Sequence, residues 1–149
     1  MPRLTRFFIK TAMIYLAAAL LLGALLAARS VWTLPTWVGG FGPIYFHAFL
    51  VGWVTQLIFG VVFWLFPVQG KVRPRGSESL GWATYILLNV GLALRVIAEP
   101  IQAARPQSFW GWLLVLSALL QWLAGIGFVI NSWRRVQPSP RERLESSKQ

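Results

Sequence analysis

The chain has 149 residues, of which 56% are apolar and only 12% are charged, so it carries more apolar surface than one small water-soluble core can bury. Its formal charge of +10 does not indicate a nucleic-acid partner, because the basic residues lie in the gaps between apolar runs and not on one soluble face. With no cysteine or aspartate, four glutamates and one histidine, it lacks disulfides, thiolate metal sites and the residues of most hydrolytic centres.

Four apolar runs are long enough to cross the hydrocarbon layer of a membrane, which is about 30 Å thick. In chain order they cover about residues 7–28, 44–68, 80–101 and 109–132. The second run is entered through the Gly- and Pro-containing residues 39–43 and closes at Phe66 and Pro67, and we expect the third to stop at Pro100. The sequence predicts an all-α, integral membrane four-helix bundle over residues 1–136, followed by a cytoplasmic tail over residues 137–149.

The first run also fits a cleaved signal peptide, because Arg3, Arg6 and Lys10 precede an apolar stretch that ends in the small residues Ala27 and Ala28. We expect it to be retained as the first span.

The basic residues between the spans predict the orientation. Two of them, Arg29 and Arg105, lie in the first and third connections. The N-terminus, the middle connection and the C-terminal segment hold the others, which are Arg3, Arg6, Lys10, Lys71, Arg73, Arg75, Arg134, Arg135, Arg141, Arg143 and Lys148. Because cytoplasmic loops collect Lys and Arg, both termini are predicted to be cytoplasmic, in a multi-pass protein of the inner (plasma) membrane.

Three ionisable residues within the spans are candidates for function, since such residues are costly in hydrocarbon. His47 lies one turn into the second span, about 5 Å deep at a rise of roughly 1.5 Å per residue. The third span runs in the opposite direction, so Arg95 and Glu99 are predicted at a similar depth. Gly91 shares their face and is expected to leave room beside the Arg95 stem.

Two interpretations of this group stay open from the residues alone. In one, His47 is a neutral imidazole bonded to a backbone carbonyl or to Glu99, and Arg95 and Glu99 form an ion pair that reaches the outer interface. In the other, His47 binds a haem iron and Arg95 pairs with a propionate.

The remaining polar positions of the spans are typical of helix packing. Gly52, Gln56 and Gly60 follow one another at four-residue spacing, which permits close helix approach. Interhelical hydrogen bonds are expected from Asn89, Gln121 and Asn131. His47 itself shares a face with the aliphatic residues Val51, Val54, Ile58, Val61 and Leu65, which suits a flat hydrophobic cofactor, lipid or a neighbouring helix.

The second span resembles a known helix. It reads Tyr45-Phe46-His47-Ala48-Phe49-Leu50-Val51-Gly52-Trp53, passes Gly60, and closes with aromatic residues and Pro67. This pattern is similar to the second helix of the catalytic subunit (subunit I) of haem-copper oxidases and nitric oxide reductases. The resemblance implies a cytoplasmic N-terminus and a haem near the outer face, with His47 as its axial ligand. It covers this span well and the rest of the chain only in outline.

The chain also departs from that family. The oxidases bind the low-spin haem with a second histidine and hold copper with further ones, and none of these exists here. Reduction of oxygen or nitric oxide at a binuclear centre is therefore excluded for this chain alone. The resemblance still allows a small relative of the family, which either binds one haem b through His47 or keeps the fold without the cofactor.

Three functions follow as hypotheses, and none requires independent catalytic activity. The first is a haem-b-associated subunit or small cytochrome that relays electrons in a respiratory or photosynthetic assembly, with His47, Arg95 and Glu99 at the cofactor. The second is a cofactor-free structural or assembly subunit. The third, a transporter or quinone site, is disfavoured because no carboxylate lies mid-membrane for proton relay. Both leading hypotheses predict a homo-oligomer or a larger membrane complex as partner, and a second copy is one source of a second haem ligand.

Overall fold

The computed structural model describes residues 1–66, 77–133 and 135–136, and these residues form helices and loops without any strand. Helix α1 covers Arg3–Ala28, and a 3-10 segment, Thr36–Phe41, leads into the second span. That span joins α2 (Gly42–His47), a π-helical segment (Ala48–Thr55) and α3 (Gln56–Leu65). The chain then forms α4 (Glu78–Ala104) and α5 (Ser108–Trp133).

Four helical stretches are long and apolar enough to cross a membrane, namely Arg3–Ala28, Trp37–Leu65, Glu78–Ala104 and Ser108–Trp133. This confirms the predicted all-α architecture with four spans. The expected end of the second span at Val68 and the tail over residues 137–149 lie outside the described residues, as do seven of the cations assigned to the cytoplasmic side.

The four spans run in alternating directions. Arg135, just after α5, bonds to the backbone of Phe63 near the end of α3. The backbone N–H of Ser77, just before α4, donates to Asn131 Oδ1 near the end of α5, at 2.9 Å. We call this end of the bundle the termini side, and the opposite end, where α2 begins and α4 ends, the His47 side.

The core lies toward the termini side and is built by all four spans. Its buried members are Leu4, Phe8, Phe63, Leu88 and Ala124. Helix α1 packs along the second span and α5 along α4, so the bundle consists of two hairpins joined chiefly through the second span and α4. Helix α1 is therefore an integral part of the bundle.

Two glycines bring α1 close to the second span. A Cβ atom placed on Gly52 would lie 2.5 Å from Cγ of Tyr15, and one placed on Gly60 would lie 2.8 Å from Cβ of Phe8. The predicted packing role of the Gly52, Gln56 and Gly60 face is thereby confirmed, and Gln56 between them is fully buried.

Helix α4 does not stop at Pro100, as the sequence led us to expect, but continues to Ala104. Proline inside a helix removes one i→i−4 hydrogen bond. Membrane helices tolerate this because neighbouring groups satisfy the freed carbonyl.

The outer surface of the spans is mostly apolar, and several polar side chains in their middle are buried between the helices. Ile14, Leu21, Trp122 and Ile130 are each at least 60% exposed, while Gln56 and Ser117 are completely buried. A bundle of this kind needs lipid around it, since the exposed aliphatic and aromatic side chains have no other apolar surroundings.

Candidate functional site

His47 is the last residue of α2, and the π-helical segment begins at the next residue. Its ring atom Nδ1 lies 2.8 Å from the carbonyl oxygen of Pro43, one turn earlier in the same helix. A carbonyl oxygen only accepts, so Nδ1 carries the proton and donates it to Pro43. Wider π-type turns are frequent at functional sites, and this one immediately follows the candidate histidine.

The other ring nitrogen of His47 faces Arg95. Arg95 Nη1 lies 3.0 Å from His47 Nε2 and 3.1 Å from Glu99 Oε1. Because a guanidinium has donors and no acceptor, Nε2 accepts the hydrogen bond and the imidazole is neutral. Glu99 Oε1 also lies 3.4 Å from His47 Nδ1, so the predicted convergence of the three ionisable residues is confirmed.

Ser117 of α5 accepts a further hydrogen bond from Arg95. Arg95 Nε donates to Ser117 Oγ at 3.3 Å, and the Ser117 hydroxyl donates to the carbonyl of Gly91 at 2.6 Å. Gln121 Nε2 also donates to Ser117 Oγ, at 3.0 Å. We did not identify Ser117 from the sequence, although its spacing of four residues from Gln121 places both on one face of α5.

The site opens toward the surface at His47 and closes toward Glu99. The side chains of His47, Arg95 and Glu99 are 29%, 18% and 11% exposed. Glu99 Oε2 is buried and has no hydrogen-bond partner among the described residues. A buried carboxylate oxygen without a donor is costly, so this atom marks a place where a further donor would be stabilising.

The space expected beside the Arg95 stem is filled by α5. A Cβ atom on Gly91 would lie 3.0 Å from both Gln121 Cγ and the Ser117 carbonyl oxygen, and 3.2 Å from Leu120 Cβ. Gly91 therefore serves the close approach of α4 and α5 and leaves no room for a ligand at this point.

Of the three residues predicted to form interhelical hydrogen bonds, two do so and one bonds within its own helix. Gln56 and Asn89 exchange amide hydrogen bonds of 3.3 and 3.1 Å between the second span and α4, and Asn131 bonds to Ser77, so the interhelical roles of Asn89 and Asn131 are confirmed. Gln121 instead bonds within α5, where its Nε2 donates to Ser117 Oγ.

Arg135 is a structural residue that its position in the sequence did not reveal. It is 2% exposed, and its Nη2 donates to the carbonyls of Phe63 at 3.2 Å and Phe66 at 2.6 Å. The guanidinium also lies 5.8 Å from the ring centroids of both phenylalanines. Arg135 therefore satisfies carbonyls at the C-terminal end of the second span, which α3 alone leaves without donors.

Among the described residues there is no group of three or more His, Cys, Asp or Glu side chains that could together hold a metal ion.

Comparison of the chain with protein-family models, with curated proteins and with solved structures finds no match.

Proposed function

We propose that this chain is a haem-b-associated subunit, or a small cytochrome, that relays electrons in a respiratory or photosynthetic assembly of the inner (plasma) membrane. The observation that supports it is the tautomer of His47. Nδ1 donates to the carbonyl of Pro43, which leaves the lone pair on Nε2. Histidines that bind metals are commonly held in this way by a backbone carbonyl on the other ring nitrogen.

The surroundings of His47 supply further features that a haem needs. Arg95 is a cation beside the ring that can pair with a propionate, and Glu99 holds it in place from the same helix. Val51 and Val54, half-buried on the following turns, present apolar surface to a porphyrin. Arg95 has to release Nε2 before the iron can bind there, because one lone pair serves one partner at a time. The bound iron would supply reversible one-electron transfer.

A second histidine ligand has to come from outside the chain, because His47 is its single histidine. The His47 ring is 29% exposed at the edge of the bundle, so a second copy or a partner subunit can approach it. This is one reason to propose a homo-oligomer or a larger membrane complex.

The proposed orientation places the haem near the outer face. The described cations of the cytoplasmic set, Arg3, Arg6, Lys10 and Arg135, belong to the termini side, whereas Arg29 and Arg105 belong to the His47 side. The excess of basic residues at the termini favours a cytoplasmic location for that side.

The test is an absorption spectrum of the detergent-purified protein, reduced minus oxidised, after expression with an ample haem supply. We expect a Soret band that is lost in His47→Ala and kept in the control Asn131→Ala, which alters a half-buried polar residue at the opposite end of the bundle. Absence of bound haem from the wild-type protein would reject the proposal.

A cofactor-free structural or assembly subunit is the second candidate. It is favoured by the hydrogen bond that Arg95 already makes to Nε2 and by the filled space at Gly91. In that case a larger complex should co-purify with the chain and persist in His47→Ala. The haem proposal predicts instead that the spectrum changes with this substitution.

A further inference from the structure

A groove at the start of α1 lies far from His47, on the termini side. Its volume is about 400 Å³, and it is lined by Arg3, Arg6, Phe7 and Lys10. Three of its four lining side chains are cationic and exposed, and Phe7 is 50% exposed. The groove therefore combines a concentrated positive charge with an apolar wall.

The helix places these side chains along one stripe. Arg3, Phe7 and Lys10 are separated by four and three residues, so they lie above one another, with Arg3 and Lys10 about 10 Å apart along the axis at the usual rise per residue. Arg6 lies beside them one turn from Arg3. Such a stripe runs from the end of the helix into its membrane-spanning part.

Aromatic residues of α4 support the stripe. The ring of Phe7 packs edge-on against Trp82, with centroids 5.3 Å apart, and lies 6.1 Å from the ring of Tyr85. Trp and Tyr are typical of the depth at which lipid headgroups meet acyl chains. Arg3 and Arg6 therefore stand at the level where a phosphodiester would lie, and Phe7 follows at the level of the first acyl carbons. Lys10 lies one turn further along the helix, and its long side chain reaches back toward the headgroups.

None of the three groove cations forms an ion pair within 4.0 Å with an acidic side chain of the described residues. The two ion pairs that the described residues form are both made by Glu99, on the His47 side. The first turn of α1 contains no acidic residue, and no side chain caps it. Its free backbone N–H groups add positive potential at the same end.

We propose that this groove binds the headgroup of an anionic phospholipid of the cytoplasmic leaflet. The phosphodiester pairs with Arg3, Arg6 and Lys10, and an acyl chain lies along Phe7. Charge complementarity, the apolar wall that Phe7 forms among the cations and the position at the end of a spanning helix together select a lipid over a soluble anion, which gains nothing from Phe7.

The test measures lipid affinity of the full chain in nanodiscs or by native mass spectrometry, with phosphatidylglycerol as the anionic probe and phosphatidylcholine as the neutral one. The double variant Arg3→Gln, Arg6→Gln removes two groove cations. The control Arg29→Gln, Arg105→Gln removes two exposed cations from the opposite side and leaves the same net charge. Circular dichroism and size exclusion establish that both variants are folded.

We expect the groove variant to bind phosphatidylglycerol about 25-fold more weakly, at about fivefold for each cation near an anionic surface. The control variant should stay within about twofold of the wild type, and millimolar inorganic phosphate should not displace the lipid. Equal losses in both variants would show a general charge effect and overturn the site. Equal binding of phosphatidylcholine, or full displacement by free phosphate, would overturn its assignment to an anionic lipid.

Discussion

Arg95 is the residue on which the site depends, because it contacts three side chains at once. It donates to His47 Nε2, to Glu99 Oε1 and, through Nε, to Ser117 Oγ. The depth of the three ionisable residues could be predicted, since it follows from span length and antiparallel direction. The direction of the hydrogen bonds could not, because it depends on Pro43 taking the Nδ1 proton.

Replacement of Arg95 by Met should destabilise the protein, because Glu99 would then be left in the bundle without its cation. Removal of one partner from a fully buried pair costs about 3–5 kcal/mol, and we expect less here because 18% of the Arg95 side chain is exposed. Denaturant unfolding in detergent, monitored through the loss of the helical circular dichroism signal, measures the difference in the free energy of unfolding.

The double variant Arg95→Met, Glu99→Gln is the control for this prediction. A neutral amide needs no cation, so the second change should recover most of the stability that the first one loses. If the double variant instead loses as much stability as Arg95→Met and Glu99→Gln lose in sum, the pair does not act as a unit and the account of Glu99 is wrong.

At the scale of elements, the close approach of α1 to the second span depends on glycine at position 52. A methyl group there would meet the Tyr15 ring at 2.5 Å, and this ring cannot move aside as a flexible chain can. We expect Gly52→Ala to lower the free energy of unfolding by about 1–3 kcal/mol through overpacking. Thermal unfolding in a fixed detergent measures the change.

Gly125 of α5 is a matched control, since a Cβ atom there meets nothing within 4 Å. Gly125→Ala should leave stability unchanged or raise it by up to about 1 kcal/mol, because alanine favours the helix. A loss as large in Gly125→Ala as in Gly52→Ala would mean that the flexibility of glycine, and not the contact with Tyr15, determines the effect.

The second span also shows which element features the sequence predicts. The stripe of Gly52, Gln56 and Gly60 was predicted correctly because small residues at helical spacing have one common use in membranes. The π-helical segment over Ala48–Thr55 was not predicted, since π-type turns have no fixed residue pattern and arise from local packing. Ile58 and Leu65, placed by a regular helical wheel on the wall with His47, are 50% and 63% exposed in the structure.

Arg135 connects the end of α5 to the end of the second span, two elements that otherwise touch little. Hydrogen bonds to a charged group contribute about 1.5–3 kcal/mol, so Arg135→Gln should lower the free energy of unfolding by about that amount. The exposed Arg105 offers the comparison, and Arg105→Gln should change stability by less than about 0.5 kcal/mol. Equal stability of the two variants, measured by denaturant unfolding, would contradict the capping role.

For the whole molecule, hydrophobicity alone was enough to predict four spans, because the hydrocarbon layer requires long apolar helices with all backbone groups bonded internally. Charge alone could not reveal the role of every cation. Arg135 was counted with the cytoplasmic charges, but it is buried against backbone carbonyls, a partner that no side-chain pattern reveals. Continuation of α4 past Pro100 was also missed, since a proline removes only one hydrogen bond of the helix and the sequence does not show whether the helix continues beyond it.

The orientation of the bundle can be tested because the chain has no cysteine, so that one introduced thiol is a unique label. Val31 on the His47 side and Val136 on the termini side are 80% and 70% exposed and therefore form a matched pair. In intact cells, a membrane-impermeant maleimide should label Val31→Cys, whereas Val136→Cys should react only after the membrane is permeabilised. This outcome is expected if the termini side is cytoplasmic, as the excess of Lys and Arg on that side predicts. Labelling of Val136→Cys from outside, with Val31→Cys protected, would reverse the orientation and move the His47 site and the basic groove to the opposite leaflets.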